Sequence, residues 1–347
     1  MFEHQKPTIR NREWLQRRPV VVEASAKAPL PRVFEAGSPK HEVGAWLRER
    51  QADVRQALDV SGAVLLRGFQ TRTVQKLEAI VREFAGEPLE YLERSSPRVA
   101  LHGRVYSSTE YPSDQEIALH NENSYAAVFP ALLFFQCMVR AERGGQTPLA
   151  DCRKVLSRLP VPLVQRFVAH GVRYVRTFNE GIGLPWQAVF GTDCQHEVER
   201  KAAQFGYDVR WPVQNALQTV RHGPAVLTTS SGERAWFNHA AFFHLSSLPP
   251  LVAQGLLDEL GEQRLPAQTY FGDGSRIELE TIELVRNAYR NETCTFEWLE
   301  GDLLIVNNLL VAHGRQAFCG LRKIAVAMAR ACEAVPSLEG HSVRRMS

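Results

Sequence analysis

Long apolar runs are missing from this chain of 347 residues, and none reaches the roughly 18–20 apolar residues that a transmembrane helix needs. The polar start, MFEHQKPTIRNREWLQRR, also lacks the apolar region of a secretory signal peptide. A charge imbalance is missing too, because 41 Lys and Arg face 38 Asp and Glu, for a net charge of +3. We therefore expect a cytoplasmic protein that binds neither nucleic acid nor a membrane surface.

Closely spaced cysteines are absent as well. None of the six cysteines belongs to a Cys-x-x-Cys pair, which argues against a zinc ribbon, and a disulfide framework is not expected in so long a chain. Isolated thiols fit a reducing compartment, in agreement with the expected cytoplasmic location. The cysteines are Cys137, Cys152, Cys194, Cys294, Cys319 and Cys332.

Glycine-rich nucleotide-binding motifs are also lacking, whereas short strand-like segments are frequent after about residue 98. Helical patterns separate them, which favours an antiparallel sandwich or barrel over a doubly wound sheet. We predict one mainly β domain with flanking helices over residues 1–347, with an irregular N-terminal arm over about 1–40. Predicted strands are 63–69, 132–139, 171–176, 225–229, 293–298, 302–307 and 323–329; predicted helices are 42–58, 73–84 and segments near 160–170, 195–206, 249–261 and 279–290.

The segment Ala118-Leu-His-Asn-Glu-Asn-Ser-Tyr125 carries the strongest chemical signal. On an extended strand, His120 and Glu122 point to the same side and can reach one metal ion. His313, at the end of an apolar strand-like stretch, can supply a third ligand. Two histidines and one carboxylate form the facial triad of non-haem iron(II) oxygenases, which leaves three octahedral positions open.

The His-x-Glu pattern and one distant histidine do not by themselves specify an iron site. His-x-Glu occurs about once by chance in a chain with 11 histidines, and a lone late histidine is more often structural. Two histidines and a glutamate also make a catalytic zinc site, so a zinc hydrolase is an alternative. A non-catalytic jelly-roll binding protein is another.

Several further segments, in order along the chain, resemble the taurine dioxygenase (TauD/TfdA) superfamily, in the branch typified by the syringomycin biosynthesis enzyme. The resemblance covers roughly residues 55–335 and combines motifs that are each weak alone. The segments are Gly62-Ala-Val-Leu-Leu-Arg-Gly-Phe69, Ser108-Thr-Glu-Tyr-Pro112, His120-Asn-Glu122, Gly144-Gly-Gln-Thr-Pro-Leu-Ala-Asp151, Trp236-Phe-Asn238, Tyr270-Phe-Gly-Asp-Gly274 and His313-Gly-Arg315.

This resemblance implies a double-stranded β-helix, or jelly roll, with iron(II) held by His120, Glu122 and His313 at its mouth. It implies 2-oxoglutarate as co-substrate and Thr147 as a contact of its carboxylate. An arginine on the strand after His313 should bind the distal carboxylate through its planar fork. Arg322 and Lys323 are the candidates on opposite faces of that strand, and we favour Arg322.

The implied reaction uses dioxygen to convert 2-oxoglutarate to succinate and carbon dioxide while an unactivated C–H bond of a small substrate is hydroxylated. Related halogenases lack a carboxylate where Glu122 stands, so its presence favours hydroxylation, or desaturation, over halogenation. The nearest branch hydroxylates amino acids, in some cases tethered to a peptidyl carrier protein. Of the remaining candidates, we expect Asn238 to shape the pocket and neither His239 nor His244 to bind the metal.

Overall fold

The computed structural model describes residues 29–38, 41–69, 73–91, 98–109, 111–213, 216–337 and 340–346. Strands β1–β20 are, in order, Arg32–Glu35, Ala63–Arg67, Ala100–His102, Val105–Ser107, Ile117–His120, Val128–Val139, Arg143–Gly144, Leu149–Asp151, Val172–Phe178, Asp208–Val213, Ala216–Gly223, Val226–Thr228, Arg234–Trp236, Ala267–Phe271, Thr293–Cys294, Leu303–Asn307, Val311–Arg315, Phe318–Cys319, Lys323–Ser337 and Gly340–Arg345. Helices α1–α10 are Val43–Glu49, Gln51–Ser61, Val74–Ala85, Cys152–Arg158, Val161–His170, Trp186–Phe190, Gln195–Gln204, Ala240–Phe243, Pro250–Leu260 and Leu279–Glu292.

The largest sheet has the order β1-β2-β16-β6-β19-β20-β12-β13, with β3 and β4 attached through β19. Its centre is antiparallel, and β6 pairs with both β16 and β19. Side chains alternate between its two faces, so Leu133 and Phe135 enter one core while Leu132 and Phe134 enter another. The second core lies under α1, α2 and α3, whose buried faces include Leu47, Leu58 and Leu77.

A smaller sheet, β15-β8-β17-β5, shares the first core with the large sheet through residues such as Leu149 and Val311. Two sheets that enclose one apolar layer form the core of a jelly roll. The strands β5 and β17 of this smaller sheet carry two of the predicted metal ligands. A third sheet, β10-β11-β9-β14, is formed by the chain between β8 and β15.

Most predicted elements are found, with shifted ends. The helix predicted over 73–84 is α3, and Thr73 caps it, since its side chain accepts a hydrogen bond from the Lys76 amide. The single helix predicted over 42–58 is two helices that meet at Arg50. The strand predicted over 293–298 is only the two-residue β15. Of the N-terminal arm expected to be irregular over about 1–40, residues 1–28 lie outside the described residues, and β1 pairs in parallel with β2.

Among the described residues, no helix is long and apolar enough to cross a membrane.

Candidate metal and co-substrate site

The three predicted metal ligands come together at one end of the jelly roll. Ligand atoms of His120, Glu122 and His313 all lie within 4.8 Å of one another, in the one such group of metal-binding side chains found among the described residues. Antiparallel pairing of β5 with β17 sets His120 directly opposite His313. The smaller sheet therefore positions both imidazoles.

Glu122 joins the cluster from a turn and not from the extended strand that was predicted. Strand β5 ends at His120, and Glu122 lies in the turn that follows, so the same-face argument for an extended strand is wrong here. The Asn308 side chain holds this turn: its Oδ1 accepts from the Glu122 amide at 2.8 Å, and its Nδ2 donates to the Glu122 carbonyl at 3.0 Å. Asn308 is fully buried and precedes His313 by five residues.

Both histidines are suited to donate a lone pair. The Nδ1 atom of His120 lies 2.8 Å from the Ala118 carbonyl, and donation of its proton there leaves Nε2 free for a metal. His313 presents its Nε2 at 3.8 Å from Glu122 Oε2. Burial lowers the pKa of His120 and lowers that of His313 well below its ordinary value, which favours the neutral form that metals bind.

The Glu122 carboxylate is buried between two donors. Its Oε2 accepts from Arg98 at 2.8 Å, and its Oε1 accepts from the Tyr91 hydroxyl at 3.0 Å. Burial raises the pKa of this carboxyl, but the Arg98 cation outweighs that effect and holds the pKa at about 2. Glu122 is therefore an anion with a fixed orientation.

A small cavity of about 40 Å³ extends from the histidines toward Thr147 and Arg322. Arg322 donates from Nε to the Gly145 carbonyl at 2.9 Å, and its Nη2 lies 3.5 Å from the Thr147 hydroxyl. Gly145 has a φ of +73°, and a Cβ there would lie 2.9 Å from the Arg322 Cδ atom, so the Gly-Gly-x-Thr motif makes room for this arginine. Burial lowers the pKa of Arg322 to about 10, which still leaves it cationic at neutral pH.

Lys323 is exposed, in contrast, and does not line this cavity. The side chains that follow keep the expected alternation, since Ile324 and Val326 line the cavity while Ala325 and Ala327 face the helices. The structure thus places Arg322, and not Lys323, on the side of the metal ligands.

A larger cavity of about 410 Å³ opens on the other side of His120 and Glu122. Much of its wall is apolar and comes from α8 and the chain leading into α9, including Phe242, Leu245 and Leu248. His239 also lines it; its ring packs against His120, and its Nδ1 lies 2.6 Å from the Ser124 hydroxyl. Asn238 does not line this cavity; it binds the Ala225 carbonyl and the Ala240 amide behind it.

The sequence interpretation missed Arg98, Tyr91 and the cavity position of His239. Arg98 stands alone in an unremarkable Ser-Ser-Pro-Arg segment, and neither spacing nor pattern marks it. The expectation for His239 concerns metal binding alone and does not include its place on the wall of the larger cavity. Arg315 donates to the backbone carbonyls of Tyr111, Pro112 and Gln115.

Comparison with known proteins agrees with this geometry. A family model of the taurine catabolism dioxygenases, the TauD/TfdA family, matches residues 26–330. The chain belongs to the TauD/TfdA family. It is 36% identical over 276 residues to the dapdiamide synthesis protein DdaC of Enterobacter agglomerans, covering 79% of this chain and 84% of DdaC. It is 29% identical over 284 residues to a clavaminate synthase-like protein of Arabidopsis thaliana, covering 79% and 83%.

Solved structures share the fold at low sequence identity. PvcB, an iron and α-ketoglutarate dependent oxygenase from an isonitrile synthetic pathway, superposes with a TM-score of 0.51 at 14% identity, over 90% of this chain and 89% of PvcB. An asparagine oxygenase gives a TM-score of 0.51 at 15% identity, over 86% and 85%. The predicted jelly roll is therefore confirmed.

As a TauD/TfdA family member, the chain is a dioxygenase that uses iron(II), 2-oxoglutarate and dioxygen. The His120, Glu122 and His313 set fits iron(II), because two neutral imidazoles and one carboxylate converge within metal-binding distance. Glu122 is a buried carboxylate that pairs with Arg98, and its position beside the two imidazoles allows it to bind a metal ion as well. The zinc hydrolase and the non-catalytic binding protein are thus set aside.

Proposed function

We propose that this dioxygenase hydroxylates an unactivated C–H bond of an amino acid, free or tethered as an aminoacyl group to a peptidyl carrier protein, in secondary-metabolite biosynthesis. The observation that carries the proposal is one His–Glu–His cluster bordered by a small cationic cavity and a large apolar one. The similarity to DdaC, a dapdiamide synthesis protein, supports the biosynthetic setting.

In this proposal His120, Glu122 and His313 hold iron(II), which, with dioxygen, supplies the oxidising power. Arg322 and Thr147 bind the distal carboxylate of 2-oxoglutarate in the small cavity, where the arginine forms a charge-assisted pair. The buried walls exclude water from that carboxylate and so strengthen the pair. Chloride has no coordination position of its own while Glu122 stays in place, which favours hydroxylation over halogenation.

The larger cavity receives the substrate. Its volume of about 410 Å³ lies within the range of roughly 300–1,000 Å³ typical of small-molecule sites. Phe242 and Leu248 give it an apolar wall, and His239 is fixed by Ser124 and by the Tyr174 hydroxyl, which accepts from the His239 amide at 3.1 Å. Apolar parts of a substrate would lie against that wall with a C–H bond toward the metal.

Succinate release measured across a panel of amino acids, each offered free and loaded on a carrier protein, tests this function. One substrate should raise succinate release well above the background of 2-oxoglutarate alone and yield a product heavier by one oxygen atom. The His313→Ala variant serves as the inactive control. A product with chlorine in place of hydrogen, or no stimulation by any panel member in either form, would contradict the proposal.

A further inference from the structure

His239 is a buried histidine on the wall of the larger cavity, and the function proposed above leaves its role open. Its ring lies among aromatic side chains, with its centroid 4.9 Å, 5.0 Å and 4.9 Å from those of Tyr125, Phe242 and Phe243. It also packs at 5.7 Å against His120, one of the metal ligands. This packing fixes the ring of His239 beside the metal ligands.

The bond between Ser124 and His239 determines which ring nitrogen carries the proton. The Nδ1 atom lies 2.6 Å from the Ser124 hydroxyl, which is buried and has no other partner among the described residues. If Nδ1 carried the proton, the hydroxyl proton of Ser124 would be buried without an acceptor, which is costly. The hydroxyl therefore donates to Nδ1, and the ring proton resides on Nε2.

The Nε2–H group of His239 is a donor that the protein leaves unused. Among the described residues Nε2 has no hydrogen-bond partner, and it is not one of the enclosed unpartnered atoms, such as Nδ1 of His313. Because the ring lines the larger cavity, this N–H group is available to a molecule bound there. Tyr91 and Arg98 line the same cavity, but both donate to the Glu122 carboxylate.

His244 lines the same cavity and provides a contrast. Its Nδ1 lies 2.8 Å from the Ser246 hydroxyl, and the ring also forms a hydrogen bond to the Ile277 backbone. The protein therefore engages the ring of His244 on both sides, whereas it engages the ring of His239 through one nitrogen only.

We propose that His239 is a specificity-determining residue, which donates a hydrogen bond from Nε2 to a carbonyl oxygen of the substrate, in an amide, a thioester or a carboxylate. A substrate that placed a methyl group there would displace water and leave the N–H group unpaired, so the cavity discriminates against it. Since the ring packs against His120, the bound oxygen lies on the side of the cavity next to the metal ligands. This inference rests on the substrate cavity proposed above.

The position of the ring proton is tested first, without any substrate. Protein labelled with [15N]histidine is loaded with Zn(II), which has no redox chemistry, and with 2-oxoglutarate. Proton–nitrogen correlation spectra then report the tautomer of each imidazole, and the His239 signals are assigned by their loss in His239→Gln. We expect the proton of His239 on Nε2. A proton on Nδ1 would overturn the inference whatever the substrate is.

Binding of three matched ligands tests the contact itself. For each member of the amino-acid panel, the free acid, its amide and the amine with hydrogen in place of the carboxyl group are titrated anaerobically. The protein carries Co(II) and 2-oxoglutarate, and the visible absorption of the metal reports binding. The wild-type protein should bind the acid or the amide of its preferred panel member at least about tenfold more tightly than the amine.

Four variants separate the N–H donor from the packing of the ring. His239→Phe keeps the aromatic packing without a donor, and His239→Asn keeps an amide near Ser124 that is too short to reach the cavity, so both should lose the preference for the carbonyl compound. His239→Gln carries an amide near the position of Nε2 and should retain most of that preference. His244→Phe removes an imidazole from the same cavity and should leave the preference unchanged.

An undiminished preference in His239→Phe and His239→Asn would overturn the inference, and so would the absence of any preference in the wild-type protein. Equal loss in His239→Gln would also overturn it, because the packing of the ring and not its donor would then be responsible. If His239→Phe fails to fold, His239→Asn decides by the same comparison. Binding of no panel member in any form would contradict the proposed function instead, and the tautomer would then decide the inference, with a proton on Nε2 in its favour and a proton on Nδ1 against it.

Discussion

His120, Glu122 and His313 each have a separate position around the proposed metal, and the described structure offers no spare ligand within the cluster. We expect His120→Ala, Glu122→Ala or His313→Ala to abolish 2-oxoglutarate turnover while the protein stays folded, because a facial triad has no surplus side chain. Succinate release and circular dichroism of each variant would measure both effects. Full turnover in any one variant would remove that residue from the triad.

Arg322 and Lys323 differ in exposure although they are adjacent. Arg322→Ala should raise the KM for 2-oxoglutarate at least about tenfold, since a hydrogen bond to a charged group contributes roughly 1.5–3 kcal/mol. Lys323→Ala removes an exposed ammonium and should change the KM by little. Arg322→Lys should recover only part of the loss, because an ammonium lacks the planar fork. A larger KM defect in Lys323→Ala than in Arg322→Ala would reverse the assignment.

At the scale of elements, the turn after β5 depends on a side chain from a distant segment. Asn308→Ala would leave the buried amide and carbonyl of Glu122 without partners, which should lower the free energy of unfolding by about 2–3 kcal/mol. The same change should weaken Mn(II) binding about tenfold, because groups that orient metal ligands have effects of that size.

Asn307→Ala is the matched control for this variant. Among the described residues, its side chain accepts from the Leu309 amide alone, at 3.2 Å and within the same turn. It should cost less stability and leave the Mn(II) affinity unchanged. Equal Mn(II) affinities in Asn308→Ala and the wild-type protein would show that Glu122 keeps its position without the Asn308 contact.

The sequence predicts those elements whose pattern is local, and it fails where a distant contact decides. Short apolar segments predict β6, β16 and β19, and a helical pattern predicts α3, because neighbouring residues determine them. The three ligands were found from residue types and family motifs, yet the turn around Glu122 could not be foreseen. That turn depends on Asn308, 186 residues away, just as the orientation of Glu122 depends on Arg98 and Tyr91.

For the whole molecule, several buried imidazoles make stability depend on pH. Burial lowers the pKa of His120, and it lowers the pKa of His239 and of His313 well below the ordinary value. In the unfolded chain these histidines take up protons near pH 6.5, whereas in the folded protein they stay neutral until lower pH. The unfolded state therefore binds more protons below about pH 6.5, and the free energy of unfolding must fall as the pH is lowered.

Denaturant unfolding of the metal-free protein between pH 7.5 and 5.5 measures this dependence. Each such histidine contributes up to about 1.4 kcal/mol per pH unit below its unfolded pKa. Glu122, with a pKa held at about 2, adds its own loss only below about pH 4.5, outside this window. The slope of the free energy of unfolding against pH should decrease in His239→Asn by the contribution of one imidazole, whatever the effect of this change on stability at neutral pH. His196→Asn controls for the loss of an exposed histidine. A free energy of unfolding that stays constant over this range in the wild-type protein would show that these histidines titrate in the folded protein as they do in the unfolded chain, and that burial does not lower their pKa.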